Sequence, residues 1–261
     1  MKSIIYQIAL FILITFESNS QTPYSTWEAG FYGGECYYLG ELNETHFLPF
    51  NISFGPRVRY NYDQRLGLKL ALTYGEISGD DAKSNNSFKR DRNFSFKSQL
   101  FEASFVGEFN FIPYSVLDKK ASLGTPFLFL GIGYTRHNPK TQFNGNWVNT
   151  NELKTEGVNF NKNIFSLPIG IGYKMRAKKF GFEFSWGIRK SNSDYLDDVS
   201  TNFANNSFEN TLSNETNNTN TTEYENVSNI KRGDQYNKDW YVFTGLTILI
   251  NLTPEEVCRK I

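Results

Sequence analysis

From Phe180 the chain reads FGFEFSWGIR, an alternation with two unlike faces. Phe180, Phe182, Phe184, Trp186 and Ile188 fall on one side, and Gly181, Glu183, Ser185, Gly187 and Arg189 on the other. A period of two is a β-strand, because successive side chains point to opposite faces of a sheet. The pattern recurs. Leu66, Leu68, Leu70, Leu72 and Tyr74 oppose Gly67, Lys69, Ala71, Thr73 and Gly75. Phe101, Ala103, Phe105, Phe109 and Phe111 oppose Glu102, Ser104, Glu108 and Asn110. Phe165, Leu167, Ile169, Ile171 and Tyr173 oppose Ser166, Pro168, Gly170 and Gly172. Trp240, Val242, Leu246, Ile248 and Ile250 share a face, while Tyr241, Phe243 and Leu249 make the other less clean. Weaker versions near 27–38, 52–62 and 127–135 bring the reading to eight strands. Several reach the ~9–11 residues that cross a bilayer at a tilt.

The apolar faces carry large aromatic and aliphatic side chains, and the opposite faces carry glycines and charges. A soluble β-sandwich keeps its outward face dressed with polar side chains. A narrow barrel instead packs small and charged residues into a tight lumen. Aromatic residues make up 16% of the chain, yet mean hydropathy is −0.48. No apolar run after the N-terminus approaches the ~20 residues of a membrane helix. Connections also alternate in length. Asp63-Gln64-Arg65 and Arg176-Ala177-Lys178-Lys179 are tight, whereas 41–51, 80–93, 138–163 and 200–238 are long. Short turns on one side and long loops on the other are the pattern of an outer-membrane barrel. The connection 115–125 is longer than that pattern wants on the periplasmic side. The fold class is therefore all-β: an eight-stranded antiparallel transmembrane outer-membrane β-barrel whose lumen is filled by side chains.

The assigned inner face holds Glu28, Glu102, Glu108 and Glu183 together with Arg57, Arg59, Lys69 and Arg189. Four carboxylates against four cations predict a closed ion-pair network, since unpaired buried charge is very costly. Residues 1–20 read as an export signal: Lys2, a mostly apolar stretch from Ile4 to Phe16, then Ser18-Asn19-Ser20 before Gln21. At about 13 residues the apolar stretch is too short for a membrane anchor. The barrel is expected over 21–252, with a tail at 253–261. The 27 basic and 27 acidic side chains balance, which gives no sign of a nucleic-acid partner.

The segments RNFSFKSQLFEASFVGEFNFIPY (92–114), GEISGDD (75–81), GIGYTRHNPK (131–140), LKTEG (153–157), SLPIGIGYK (166–174) and WGIRKSNSDYLDDVS (186–200) resemble the PorG-type outer-membrane proteins. Those belong to the type IX secretion system of Bacteroidota. GFYGGECYYLGEL (30–42) and DWY (239–241) are similar to the family's first and last strands. The likeness runs through nearly the whole mature chain, in order. It implies a barrel, not an enzyme, that docks the periplasmic ring of the secretion machine, built from a PorK-like lipoprotein and a PorN-like protein. Two departures stand out: Cys36, where a small or polar residue is expected, and the long Asn/Thr-rich loop after Ser200.

That loop is poor in aliphatic residues and is expected to be loosely ordered. Its Asn-x-Ser/Thr triplets at Asn205, Asn214, Asn217, Asn220 and Asn226 reflect its composition. Cys36 and Cys258 are expected at opposite ends of the barrel, on the order of 20 Å apart. A disulfide needs Cα atoms within ~7 Å. Cys258 is therefore expected to be unpaired within the chain, and either an inert tail thiol or an intermolecular cross-link to a ring protein. Lys119, Lys120, Lys178, Lys179, Glu255 and Glu256 are expected near the same periplasmic face. His46 and His137 lack a serine nucleophile motif, so no catalytic residue, cofactor or histidine metal site is assigned. The stretch SDYLDDVS (193–200) clusters Asp194, Asp197 and Asp198 beside the longest loop. It reads first as a structured corner whose aspartates accept bonds from loop backbone and from Arg189 or Lys190, and second as a weak Ca²⁺ candidate with Asp80 or Asp81. The competing role for the whole chain is a generic small barrel acting as adhesin or envelope stabiliser.

Overall fold

The computed structural model describes residues 25–254, apart from 41, 44, 84–89, 91–93, 119, 144–145, 151–159 and 198–238. The strands are β1 (Thr26–Leu39), β2 (Asn51–Asn61), β3 (Leu66–Asp80), β4 (Ser95–Asn110), β5 (Gly124–Phe143), β6 (Asn146–Asn149), β7 (Asn163–Ala177), β8 (Phe180–Ser191) and β9 (Trp240–Asn251). All pair antiparallel. The ninth strand beyond expectation is β6, which pairs with β5 alone. It turns the loop-side extension of β5 into a hairpin above the wall. The other eight close on themselves through β1–β9 and β4–β5, so no edge is left unpaired.

The register fixes the barrel's shape. Following paired residues once around, Trp27 leads to Tyr60, Leu68, Gly107, Leu130, Ile169, Ile188, Val242 and back to Tyr37 on the starting strand. The path climbs from residue 27 to residue 37, a stagger of ten residues. Ten residues at ~3.3 Å over eight strands at ~4.8 Å spacing give a tilt of about 40°. The outward stripe spans ten residue steps on three strands, from Phe165 to Met175 along β7, from Phe101 to Phe111 along β4 and from Ile52 to Tyr62 along β2, with both ends of each exposed. At that tilt ten residues rise about 25 Å, the height of the apolar band of a barrel in a bilayer. The exposed surface is thus a continuous belt of Leu, Ile, Phe and Tyr, and the buried residues line the lumen.

Two short turns, 62–65 and 178–179, the longer connection 111–123 and both ends of the barrel wall lie at one end, here the turn end; the other connections lie at the loop end. The long 111–123 connection has a structural use. Tyr114, Ser115 and Val116 are buried, because the segment folds across the turn-end mouth. Tyr114 N–H donates to Gln64 O at 2.9 Å, and Ser122 N–H to Pro113 O at 3.1 Å. A glycine-rich inner face is also explained. Phe127 and Phe129 point inward and are buried, and a Cβ at Gly172 or Gly170 would stand 2.5 Å from their ring carbons. Such contacts do not occur, so these strands need glycine where the rings cross.

The belt makes a quantitative expectation. Leu70→Arg, at mid-belt, should destabilise the barrel in lipid by about 2–4 kcal/mol, and Gln99→Arg, above the belt, by only ~0–1 kcal/mol. Urea titration of the protein folded into vesicles measures both.

Candidate functional site

The eight charged residues assigned to the lumen are all buried there: Glu28, Arg57, Arg59, Lys69, Glu102, Glu108, Glu183 and Arg189. A ninth, Lys174, joins them. It continues the inward set of β7 after Gly172, two residues past the point where the alternation was read. The turn-end half contains a knot of three carboxylates and three cations. Glu108 is its centre, accepting Arg59 Nε at 2.8 Å, Lys69 Nζ at 2.6 Å and Lys174 Nζ at 2.7 Å. Arg59 also reaches Glu28 at 3.1 Å and pairs with Glu183, and Lys69 reaches Glu183 at 2.8 Å. Asn61 donates to Glu28 and Asn110 accepts from Lys174. Phe127 and Phe129 form one wall of the knot, with Lys174 Nζ 4.5 Å from the Phe127 centroid and Lys69 Nζ 5.3 Å from that of Phe129. The ring faces are attractive to cations.

Two members stand outside the expected pairing. Arg57 makes no ion pair among the described residues. Its guanidinium lies 4.5 Å from the Tyr32 ring centroid and donates to Leu72 O at 2.8 Å. Arg189 stands 3.6 Å from Glu102, whose nearer partner is the Tyr241 hydroxyl at 2.8 Å. Tyr241 is linked in turn to Thr135 and Ser166. The charge balance is therefore three against three in the knot, with a looser tier above it.

Toward the loop end the lumen turns apolar. Cys36, Ile77, Phe96, Leu100, Ile164, Leu196 and Phe243 pack together with Tyr32, Tyr38 and Tyr241. Cys36 is buried here, its thiol donating to Glu76 O at 2.8 Å. That is why a cysteine is accommodated on the inner face. At the opposite mouth, Tyr114 lies under the knot; burial, and then Glu28, raise the pKa of its hydroxyl. The lumen is thus packed along its length: plug, ion-pair knot, hydroxyl tier and apolar cap.

In the acidic corner after β8 the backbone donates as expected, but Arg189 and Lys190 point elsewhere. Arg189 donates to Gly187 O and Lys190 Nζ sits 5.3 Å from the Trp240 ring centroid. Tyr38 is a donor that the sequence did not suggest, alongside the backbone. Tyr38 Oη lies 2.6 Å from Asp197 and 2.8 Å from Asp239, so its one proton is shared between the two carboxylates, and Leu196 N–H donates to Asp239 at 2.9 Å. Asp194 is buried at the same corner. Asp81 is buried and accepts Phe94 N–H at 3.3 Å, while Asp80 accepts Ala82 N–H at 3.0 Å. Asp198 lies outside the described residues. Among the described residues no group of three or more His, Cys, Asp or Glu is placed to hold a metal. His137 is buried with Nε2 3.1 Å from Asn161 O, and His46 Nδ1 lies 3.3 Å from Tyr37 Oη.

The turn face is the second feature with functional potential. Arg176 donates to Asp118 O at 2.6 Å and Ala121 O at 2.7 Å. Gln64 donates to Asp118 at 3.1 Å, Arg65 to Phe111 O at 2.8 Å, and Asn251 N–H to Lys179 O at 3.1 Å. Every turn is tied to its neighbour. Arg65, Lys120, Lys178 and Lys179 are exposed on this face. Lys119, Glu255, Glu256 and Cys258 lie outside the described residues, as do residues 1–20, read above as an export signal, and residues 200–238.

Removing the centre of the knot leaves buried cations without a counter-charge. Glu108→Gln should cost about 3–5 kcal/mol. Glu102→Gln keeps an acceptor for Tyr241 and removes one longer ion pair, to Arg189, rather than three short ones, so it should cost less than Glu108→Gln; chemical unfolding in lipid distinguishes the two. The packed lumen also predicts no steady large conductance in single-channel recordings of the folded protein.

No curated protein matches the chain in sequence. Among solved structures it is similar to the Neisserial surface protein A, NspA, at 10% identity and TM-score 0.40, covering 87% of this chain and 97% of that one. It is similar to Ail, the attachment invasion locus protein of Yersinia pestis, at 10% identity and TM-score 0.39, covering 87% and 96%. OprG of Pseudomonas aeruginosa aligns at 9% identity and TM-score 0.40, covering 87% and 98%. A family pattern described as "Domain of unknown function (DUF6089)" matches residues 4–258. That match spans the barrel from before β1 to beyond β9, and the chain belongs to the DUF6089 family.

Proposed function

We propose that this chain is an outer-membrane anchor of the type IX secretion machine that docks the periplasmic ring, a PorK-like lipoprotein and a PorN-like protein, to the membrane. The observation that carries the reading is the sealed lumen. A barrel packed by the Glu108 knot and an apolar cap has no path for solute, so its work falls to its surfaces. The turn face supports the docking role because its turns are cross-tied into one rigid platform. Preorganised surfaces lose little freedom on binding. The PorG-like segments quoted above supply the identity of the partners. The export signal at 1–20 and the outward apolar belt support residence in the outer membrane. The proposed role is non-enzymatic, as the PorG-like segments imply. The reading includes Cys258, in the segment that follows β9 in sequence, as the residue that cross-links to a ring protein.

The test is affinity purification through a tag in the 200–238 loop, which leaves the turn face free. PorK-like and PorN-like proteins should co-purify. Reversing Arg65, Lys178 and Lys179 to Glu should reduce their recovery severalfold while the barrel still folds. A high-mass band on non-reducing gels should disappear in Cys258→Ser. Absence of ring proteins, with binding to outside ligands instead, would establish the adhesin role and remove this one.

A further inference from the structure

The first loop-end connection, between β1 and β2, straddles the barrel rim. Leu42 is tucked into the apolar cap inside the lumen. Four to five residues later the chain is outside the wall. Phe47 lies 5.5 Å from Tyr37 and His46 lies 5.9 Å from it, ring centroid to centroid. Tyr37 belongs to the outward set of β1, the set of Trp27 and Phe31, yet it is fully buried. Its hydroxyl accepts Trp186 Nε1–H from β8 at 3.0 Å, so the ring lies across β9. Val242 and Thr244, outward residues of β9, are buried as well.

The loop that folds down here is built to hold its shape. Asn43 Nδ2 donates to Tyr38 O at 2.6 Å and Leu48 O at 2.6 Å, and Asn43 Oδ1 accepts Thr45 N–H at 3.1 Å. Phe47 has φ 63°, a region that bulky side chains rarely occupy. This rigid frame holds out Phe47, Leu48 and Phe50, which are 53%, 58% and 66% exposed. Phe50 also extends the outward stripe of β2, already made by Ile52 and Phe54. The three side chains therefore continue the lipid-facing belt past the end of the strands. Glu35, on the outward face two residues below Tyr37, and Glu76 on β3 mark where neighbouring strands turn polar.

We propose that this loop is an apolar finger seated in the loop-side leaflet, with Phe47, Leu48 and Phe50 at the boundary of acyl chains and headgroups. Continuity with the belt selects lipid as the occupant. In water the exposed faces of these three apolar side chains would meet only solvent, whereas at the boundary they bury against chain ends. The indole of Trp186 and the ring of Tyr37 stand beside them, and the polar edges of Trp and Tyr favour that level. The finger makes this side of the barrel grip the leaflet more firmly than the other sides.

Spin labels measure it directly. Single cysteines replace Leu48, Phe50, Phe54 and Gln142 in a Cys258→Ser chain, in which Cys36 stays buried. Each variant is folded into phosphatidylcholine/phosphatidylglycerol nanodiscs and checked by heat-modified gel migration. The belt position Phe54→Cys meets oxygen in preference to a water-soluble nickel chelate, and the exposed hairpin position Gln142→Cys shows the reverse. Leu48→Cys and Phe50→Cys should follow Phe54→Cys, with an oxygen-to-nickel ratio severalfold above that of Gln142→Cys. If both follow Gln142→Cys, the finger is aqueous, available to a soluble ligand, and the proposal fails.

Discussion

The Glu108 carboxylate, held by Arg59, Lys69 and Lys174, is the contact on which the barrel's interior depends. An eight-stranded barrel has room inside for side chains and little else. Whatever faces inward must either fill space or satisfy its own charge. Isolated ions there would face a desolvation cost of several kcal/mol each. Placing three carboxylates among three cations removes that cost only if all six are present. The knot is therefore a single unit, and the strands that supply it (β1, β2, β3, β4, β7 and β8) are locked to one another through the lumen as well as through their ladders.

The knot also dictates what surrounds it. Lysines that sit deep in a dry interior gain from the faces of Phe127 and Phe129, and those rings demand glycine on the strands they cross. The apolar cap above and the Tyr114 plug below keep water from the ends of the network. Water would weaken each ion pair by raising the local dielectric. The inside of this barrel is thus ordered by layers, while the outside is uniform, since lipid asks only for apolar surface.

That difference explains what the sequence made legible. Strands such as Phe180–Ser191 and Leu66–Asp80 have one face for lipid and one for charge, and their two-residue period is plain. On β5 the inward Phe127 and Phe129 erase the contrast with the outward Leu128 and Leu130, so the strand reads weakly. Tyr241 and Phe243 on β9 do the same, because they belong to the cap. Lys174 was within reach of the pattern, two residues beyond Gly172. Arg57 lies inside, where alternation puts it, but it meets the Tyr32 ring and a backbone carbonyl, and alternation carries no information about which groups meet. The Tyr38–Asp197–Asp239 corner joins residues far apart in the chain, and only the closing of β1 onto β9 brings them together.

A rigid, sealed wall has a consequence for anchoring. A lipid chain attached to a protein holds it at the membrane but leaves its orientation free. A barrel crossing the bilayer fixes both its axis and, through an asymmetric rim, its tilt. The turn face then presents Arg65, Lys120, Lys178 and Lys179 at set positions relative to the membrane plane, because each turn is bonded to the next. A large periplasmic assembly gripping such a face inherits that orientation without ordering anything of its own, and the entropy cost of docking falls accordingly. A flexible tether offers proximity alone. The dense interior, which conducts nothing, gives the face its stiffness: the same ion pairs that close the lumen keep the turns from moving against one another.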